Sequence, residues 1–248
     1  MMISKTTLKY VNSLQLKKNR QEEGLFLVEG AKSVLELLDS DFEIVSLFLA
    51  DTFSHKNSSV LKKHEYQVAS EAELSKMSSF ENNNAGLAVV KKKENQLLNQ
   101  FQAPTLVLDG IKDPGNLGTI IRIADWYGFN QIVCSADCVE FYNPKVISAT
   151  MGSFCRVNIF YTDISVFLSD KKQAVYGAFL GGDNIHETNF EPNGIIIIGN
   201  ESFGISDEIE KKITQKITIP RFGNAESLNA GIATGIFLDN FRRIIPKD

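Results

Sequence analysis

The stretch "GIIIIGNESFGIS", residues 194–206, runs four isoleucines straight into Gly199, Asn200 and Glu201. A strand over the isoleucines has no polar alternation, so both of its faces are expected to be covered, as in a parallel sheet. In open α/β sheets ligands bind just beyond the carboxyl ends of the strands. Glu201 stands at such an end. The competing reading is an ordinary loop acid before a helix, with Ser206 as the N-cap.

From residue 104 onward, strands and helices alternate around this stretch. Strands are expected at 105–109 ("TLVLD"), 131–135 ("QIVCS"), 155–160 ("CRVNIF"), 174–180 ("AVYGAFL"), 194–199 and 216–220 ("KITIP"). Such alternation argues for a parallel sheet with helices on both faces. Before it comes a smaller α/β unit, with strands at "LFLVEG" (25–30), "IVSLFLA" (44–50) and "GLAVVKKK" (86–93). "AKSVLELLDS" (31–40), "SSVLKKHE" and "EAELSKMSS" read as helices. A charge- and amide-rich linker at 92–103 separates a first domain, 1–95, from a second, 104–248.

Composition narrows the function. A chain of 248 residues with 43% hydrophobic content can bury one large or two modest cores. No apolar run approaches the roughly 18 residues of a membrane helix. The N-terminus lacks the apolar core of a signal peptide, so a cytoplasmic location is expected. Cys134, Cys138 and Cys155 form no C-x-x-C, and His55, His64 and His186 are scattered. No metal is therefore expected, and the cysteines read as small core residues. The net charge is −4, yet the first twenty residues carry Lys5, Lys9, Lys17, Lys18 and Arg20 with no acid. Lys91, Lys92 and Lys93 form a second basic cluster. Either patch suits a phosphate footprint or, equally, a solvated face.

Two further strand exits carry unusual residues. After 105–109 comes "IKDPGNLGTIIRIADWYGF" (111–129), with Asn116 as expected N-cap and Arg122 inside an apolar helical run. A buried guanidinium there needs a partner, for which Asp125 is a candidate, or a ligand. After 216–220 comes "RFGNAESLNAGIATGIF", with Ser227 as expected N-cap and Asn229 in the first turn of a helix. Its Gly231 and Gly235 cost about 1 kcal/mol each in a helix interior, so close packing or a ligand is implied. No G-x-x-x-x-G-K-[ST], G-x-G-x-x-G or G-x-S-x-G is present. Nucleotide cradling, hydride transfer and serine hydrolysis lose support accordingly.

Taken together, "NLGTIIR", "IIIIGNE" and "IPRFGNAESLN" resemble, in order and spacing across about residues 104–245, the three motifs of the SpoU (TrmH-type) branch of the SPOUT methyltransferases. "KVISATMGSF" (145–154) resembles the family's small-residue segment, and "GLFLVEGAKSVLELL" more loosely its accessory substrate-binding domain. The resemblance implies methyl transfer from S-adenosylmethionine to a ribose 2′-hydroxyl of RNA, a C-terminal trefoil knot, and a homodimer. It implies catalytic roles for Asn116, Arg122, Glu201, Ser227 and Asn229. It implies cofactor contacts at Gly199, Ile219 and Leu228, joined by Leu180 and Gly181. The accessory domain favours ribosomal RNA of the large subunit (23S); a tRNA substrate, or a non-catalytic RNA-binding or assembly protein, are the alternatives. Lys5, Lys9, Lys17, Lys18 and Arg20 are the expected RNA contacts. Arg221, Ser202, Thr119 and Ile123 depart from the family pattern at positions outside the catalytic set.

Overall fold

The computed structural model describes residues 3–98 and 104–245. Its strands are β1 (Leu25–Glu29), β2 (Ile44–Ala50), β3 (Gln67–Ala69), β4 (Gly86–Lys91), β5 (Thr105–Leu108), β6 (Gln131–Ser135), β7 (Asn158–Thr162), β8 (Val175–Asn184), β9 (Ile195–Ile198) and β10 (Gln215–Thr218). The chain divides into two compact units, Met1–Glu94 with Glu140–Cys155, and Asn95–Val139 with Arg156–Asp248. The segment Glu140–Cys155 thus packs with the first unit, although its number lies within the second expected domain.

In the first unit the sheet order is β1-β4-β2-β3. β4 runs antiparallel to both β1 and β2, and β3 is parallel to β2. Leu14, Leu27, Phe48, Leu74, Met77, Leu87 and Val89 form its core. β1 is buried along its whole length because a second layer covers it. Phe26 meets Phe42, Tyr142 and Phe154 at ring-centroid distances of 5.6, 4.6 and 6.2 Å. The basic N-terminal segment is two helices, Lys5–Ser13 and Lys17–Glu23. The first is capped by Ser4, whose hydroxyl accepts from the Thr7 N–H. The second stops at Gly24 in the left-handed region, φ 66°.

In the second unit six strands are all parallel, in the order β10-β8-β9-β5-β6-β7. The four isoleucines are all buried and pair in register with β5, Thr105 opposite Ile195 through Leu108 opposite Ile198. From β5 the chain builds outward through β6 and β7, then returns to the other side of β5 to place β8, β9 and β10. The order therefore reverses at the β5–β9 pair, and the crevice beyond the carboxyl ends of those strands is where such a sheet binds ligands. Asp109–Gly110 and Gly199–Glu201 are the residues that leave the sheet there.

Two local differences from the sequence reading have clear causes. The strand expected at 155–160 begins at Asn158, because Ser153–Cys155 closes a 3-10 turn after the helix Pro144–Ala149. β8 is longer than expected because its register shifts: Lys216 and Ile217 of β10 are consecutive, but their partners are Gly177 and Asp183. Residues 178–182 are looped out between those two partners.

Candidate active site

Beyond β5, Pro114 opens the helix Pro114–Trp126, where its missing N–H is no loss. Asp113, rather than Asn116, is the N-cap: its Oδ1 accepts from the Asn116 N–H at 2.8 Å. The correction matters chemically. With the cap supplied by Asp113, the Asn116 carboxamide is free to point away from its own helix.

It points at Glu201. Asn116 Nδ2 donates to Glu201 Oε1 at 2.6 Å, and Asn229 Nδ2 donates to Asn116 Oδ1 at 2.8 Å. Asn229, not Ser227, caps the helix Ala230–Ile244; its Oδ1 accepts from the N–H groups of Gly231 and Ile232 at 2.9 and 3.3 Å. These contacts settle both amide orientations. Helix N–H groups demand the Asn229 oxygen, which turns its NH2 to Asn116, which in turn directs the Asn116 NH2 to the carboxylate. A polarised relay thus runs from a helix N-terminus to Glu201, joining three loops that are remote in sequence.

The glycines of this region divide by cause. A Cβ at Gly199 would run into the backbone of Gly204 and Ile205, so the chain's own loop requires that glycine. A Cβ at Gly231 would lie 3.0 Å from Thr119 Cγ2 and 3.1 Å from Asn229 Oδ1. Gly231 therefore answers to the crossing of the helices Pro114–Trp126 and Ala230–Ile244, and to the cap.

Arg122 departs from the reading of it as a buried guanidinium. It is exposed, and its guanidinium bonds to no other described residue. Asp125 is instead held by Arg156, whose Nη2 lies 2.8 Å from Asp125 Oδ2. Arg122 lies six residues after Asn116, roughly 9 Å further along the helix and about 120° around it. Glu201 therefore braces Asn116 and does not touch Arg122. Ser227 is likewise exposed, and its side chain bonds to no described residue.

The positions expected at the cofactor lie within β8 or follow β9 and β10, and these three strands are neighbours in the sheet. Leu180 is 80% exposed on the excursion within β8, and Leu228 is 48% exposed. Ile219 is half-buried, and a Cβ at Gly181 would meet only open space. Exposed leucines beside an unobstructed glycine suit a ligand with an apolar face and hydrogen-bonding edges, as an adenosine with a thioether chain has. The residues fit S-adenosylmethionine in that sense. Among the described residues no three His, Cys, Asp or Glu side chains converge as metal ligands.

Sequence reasoning passed over the residues that anchor the turn after β5. The Gly110 N–H donates to Ser135 Oγ at 2.8 Å, and the Ile111 N–H donates to Cys138 Sγ at 3.2 Å. Cys138 in turn donates to the Leu108 carbonyl at 3.4 Å. A hydrogen bond from Cys134, against the opposing effect of burial, and further bonds from Ser135 and the backbone lower the Cys138 thiol to about 7. Both cysteines are buried, as expected, but Cys138 also serves as a loop anchor.

The first unit corrects the basic-patch reading. Arg20 is 2% exposed. It donates to the carbonyls of Leu14 and Gln15 at 3.0 and 2.7 Å and to Glu140 at 2.6 Å. It is a structural cross-link and leaves the set of RNA contacts. Lys91, Lys92 and Lys93 are each paired, with Glu43, Glu140 and Asp41. Lys5, Lys9, Lys17 and Lys18 stay exposed, Lys18 lying 3.8 Å from Glu22.

Known proteins resemble this chain in sequence and in fold. Residues 5–88 match a model of the MRM3-like substrate binding domain. The chain is 28% identical over 233 residues, 92% of its length and 93% of the relative's, to the 23S rRNA (guanosine(2553)-2'-O)-methyltransferase RlmP of Bacillus subtilis (strain 168). Its fold matches a protein assigned to the TrmH family of RNA methyltransferases from Porphyromonas gingivalis, with a TM-score of 0.82, 33% identity and coverage of 98% and 99% of the two chains. An AdoMet-bound rRNA methyltransferase from Sinorhizobium meliloti aligns with a TM-score of 0.86 at 26% identity, over 100% of this chain and 99% of that one. Residues 103–239, which hold the three loops and the Glu201–Asn116–Asn229 relay, match the model of the SpoU rRNA Methylase family, to which the chain belongs.

Proposed function

We propose that the chain is an S-adenosylmethionine-dependent methyltransferase acting on a ribose 2′-hydroxyl of RNA, with large-subunit (23S) ribosomal RNA as substrate. The observation that carries this reading is the relay from Asn229 through Asn116 to Glu201 at the switch point of the sheet. The resemblance to the Bacillus 23S rRNA enzyme and the match to a substrate-binding domain support the choice of RNA.

Bound S-adenosylmethionine supplies a methyl group already activated on a sulfonium centre. The chain's task is to align the hydroxyl and to stabilise its oxygen as the proton leaves to solvent. Arg122, exposed and bonded to no other described residue, presents its fork to the phosphate beside the ribose and stabilises the developing alkoxide. It acts by charge and by hydrogen bonds and takes no proton. Asn116 and Asn229 keep the loops in register, and Glu201 fixes Asn116. Ser227 has a hydroxyl free for the RNA or the third loop. In the first unit, the exposed Lys5, Lys9, Lys17 and Lys18 supply phosphate contacts.

The active form is a homodimer in this reading. Trp126, 85% exposed, and the exposed Ile232 lie on the two crossing helices and need a cover. By the same family resemblance that implies the knot, the last helix threads it.

Incubation with labelled S-adenosylmethionine and separated 23S rRNA and tRNA tests the proposal. The expected product is a labelled dinucleotide of 23S rRNA that resists alkaline hydrolysis. Label in tRNA alone would move the substrate to tRNA; no label in either, with folded protein, would favour a non-catalytic RNA-binding role.

A further inference from the structure

The loop after β9 is held by two separate sets of bonds. One set closes it on itself: Asn200 and Gly204 each donate a backbone N–H to the other's carbonyl, both at 2.9 Å. The other set ties it to the turn after β5. Asp109 Oδ2 accepts from the Ser206 N–H and hydroxyl, both at 2.8 Å. Asn200 Nδ2 donates to the Gly110 carbonyl at 2.6 Å. The Asn200 Oδ1, meanwhile, accepts from the N–H groups of Ser202 and Phe203 at 2.8 and 3.2 Å.

The Asn200 carboxamide therefore works at both ends. Closure of the loop does not depend on it, because the backbone pair with Gly204 supplies that closure. The far end of the loop does not depend on it either, because Asp109 and Ser206 hold that end. What the side chain adds is a fixed separation between the exits of β9 and β5. Glu201 is the next residue on one side, and the helix of Asn116 begins four residues beyond Gly110 on the other.

We propose that Asn200 is a positioning residue: by tying the Glu201 loop to Gly110, it sets the contact between Glu201 and Asn116. This rests on the role given above to Glu201. Asn200 itself does not touch the reacting atoms. A plain turn cap needs only the Oδ1 acceptor, which Asp would supply equally well. Positioning needs the Nδ2 donor as well. In Asn200→Asp the Ser202 and Phe203 bonds survive, while a carboxylate oxygen is set against the Gly110 carbonyl.

The test compares kcat, KM for RNA and Tm for the full-length chain and its variants. These are Asn200→Asp, Asn200→Ala, Glu201→Gln, the Asn200→Asp/Glu201→Gln double variant, and Ser206→Ala as a control. Displacement of a catalytic group by the order of an ångström costs up to about 100-fold. Asn200→Asp and Asn200→Ala are therefore expected to lower kcat roughly 10- to 100-fold, with little change in KM for RNA. Ser206→Ala is expected to keep the wild-type kcat. Because Asn200 acts through Glu201, the double variant should be no slower than Glu201→Gln alone. A wild-type kcat in Asn200→Asp, or losses that multiply in the double variant, would overturn this proposal and leave the site reading intact. A wild-type rate in Glu201→Gln would overturn the site reading and this proposal together.

Discussion

Two arginines of this chain have opposite environments. Arg20 of the first unit is buried, with three acceptors around it. Arg122 of the second unit is exposed, with none among the described residues. Their sequence settings suggest the reverse: Arg20 lies in a lysine-rich terminal segment, Arg122 in a run of isoleucines. Hydrophobic periodicity alone leaves both placements open. In "NLGTIIRIADW" the buried positions are Leu117, Gly118, Ile120, Ile121 and Ala124, and residue 122 falls between them on the outer face. In "KKNRQEE" the one buried position is Arg20. A guanidinium consumed by the fold should govern stability; one left free should govern chemistry.

The largest effect is expected where the fold consumes the charge. Glu140 holds both Arg20, at 2.6 Å, and Lys92, at 2.9 Å. Glu140→Ala leaves Arg20 buried without its counter-ion, which costs about 3–5 kcal/mol. For a chain of this size that is roughly 6–20 °C in Tm. Arg20→Ala should cost a similar amount. Below the lowered Tm, each variant should methylate RNA at a near-normal rate per folded molecule. Thermal melts and single-turnover assays check this; an unchanged Tm in Glu140→Ala would deny the pair its structural role.

Arg122 should behave in the opposite way. Loss of a donor that stabilises charge in the transition state costs about 10²–10³-fold in rate. Arg122→Ala is expected to lose at least that much while Tm and affinity for S-adenosylmethionine hold. Arg122→Lys should fail almost as badly, because the planar fork is lost. Calorimetry beside a rate assay separates the two properties. Near-normal turnover in the Lys variant would rule out the role given to the fork.

Much of the second unit was legible because its signals are local. The isoleucine run, the order of the strand exits and the three motifs each occupy a few adjacent residues, and the structure joins Asn116, Glu201 and Asn229 by direct bonds. The caps were misread by two or three residues because Asp113 and Asn116, or Ser227 and Asn229, are equally able cap residues; only the backbone chooses between them. The anchors of the loops were not legible. Nothing near Asn200 marks its bond to Gly110, nor anything near Cys138 its bond from Ile111, since both partners are distant in sequence. The same holds for Arg20, whose acid partner is 120 positions away.

The lysines left exposed extend the contrast to RNA affinity. Lys5, Lys9, Lys17 and Lys18 are free of the buried pairing that claims Arg20. For each phosphate that a lysine no longer neutralises, the slope of log affinity against log salt should shrink by roughly 0.7–0.9. Neutralising all four should weaken binding at low salt and flatten that slope, with Tm nearly unchanged. Filter-binding titrations at several salt concentrations read this directly. A slope equal to wild type would return the four lysines to a solvated face.

The smallest effect expected is a pH dependence, and it again separates the two arginines. Burial pushes the Glu140 carboxyl up, but hydrogen bonds from Arg20 and Lys92, with their charges, together outweigh burial and hold its pKa below the ordinary glutamate value. A carboxylate whose pKa is lowered on folding adds stability that is fully present above its unfolded-state pKa. That stability is lost as the pH falls through the lowered folded-state value. Wild-type Tm should therefore fall on acidification partly through Glu140. Glu140→Gln, which cannot ionise, should start from a lower Tm at neutral pH and lose less on acidification, so the two curves converge in acid. Arg122 meets no acid among the described residues, so Arg122→Ala should track the wild-type curve across the whole range. Melting curves from neutral to acidic pH decide the matter, and parallel curves for wild type and Glu140→Gln would remove Glu140 from the acid response.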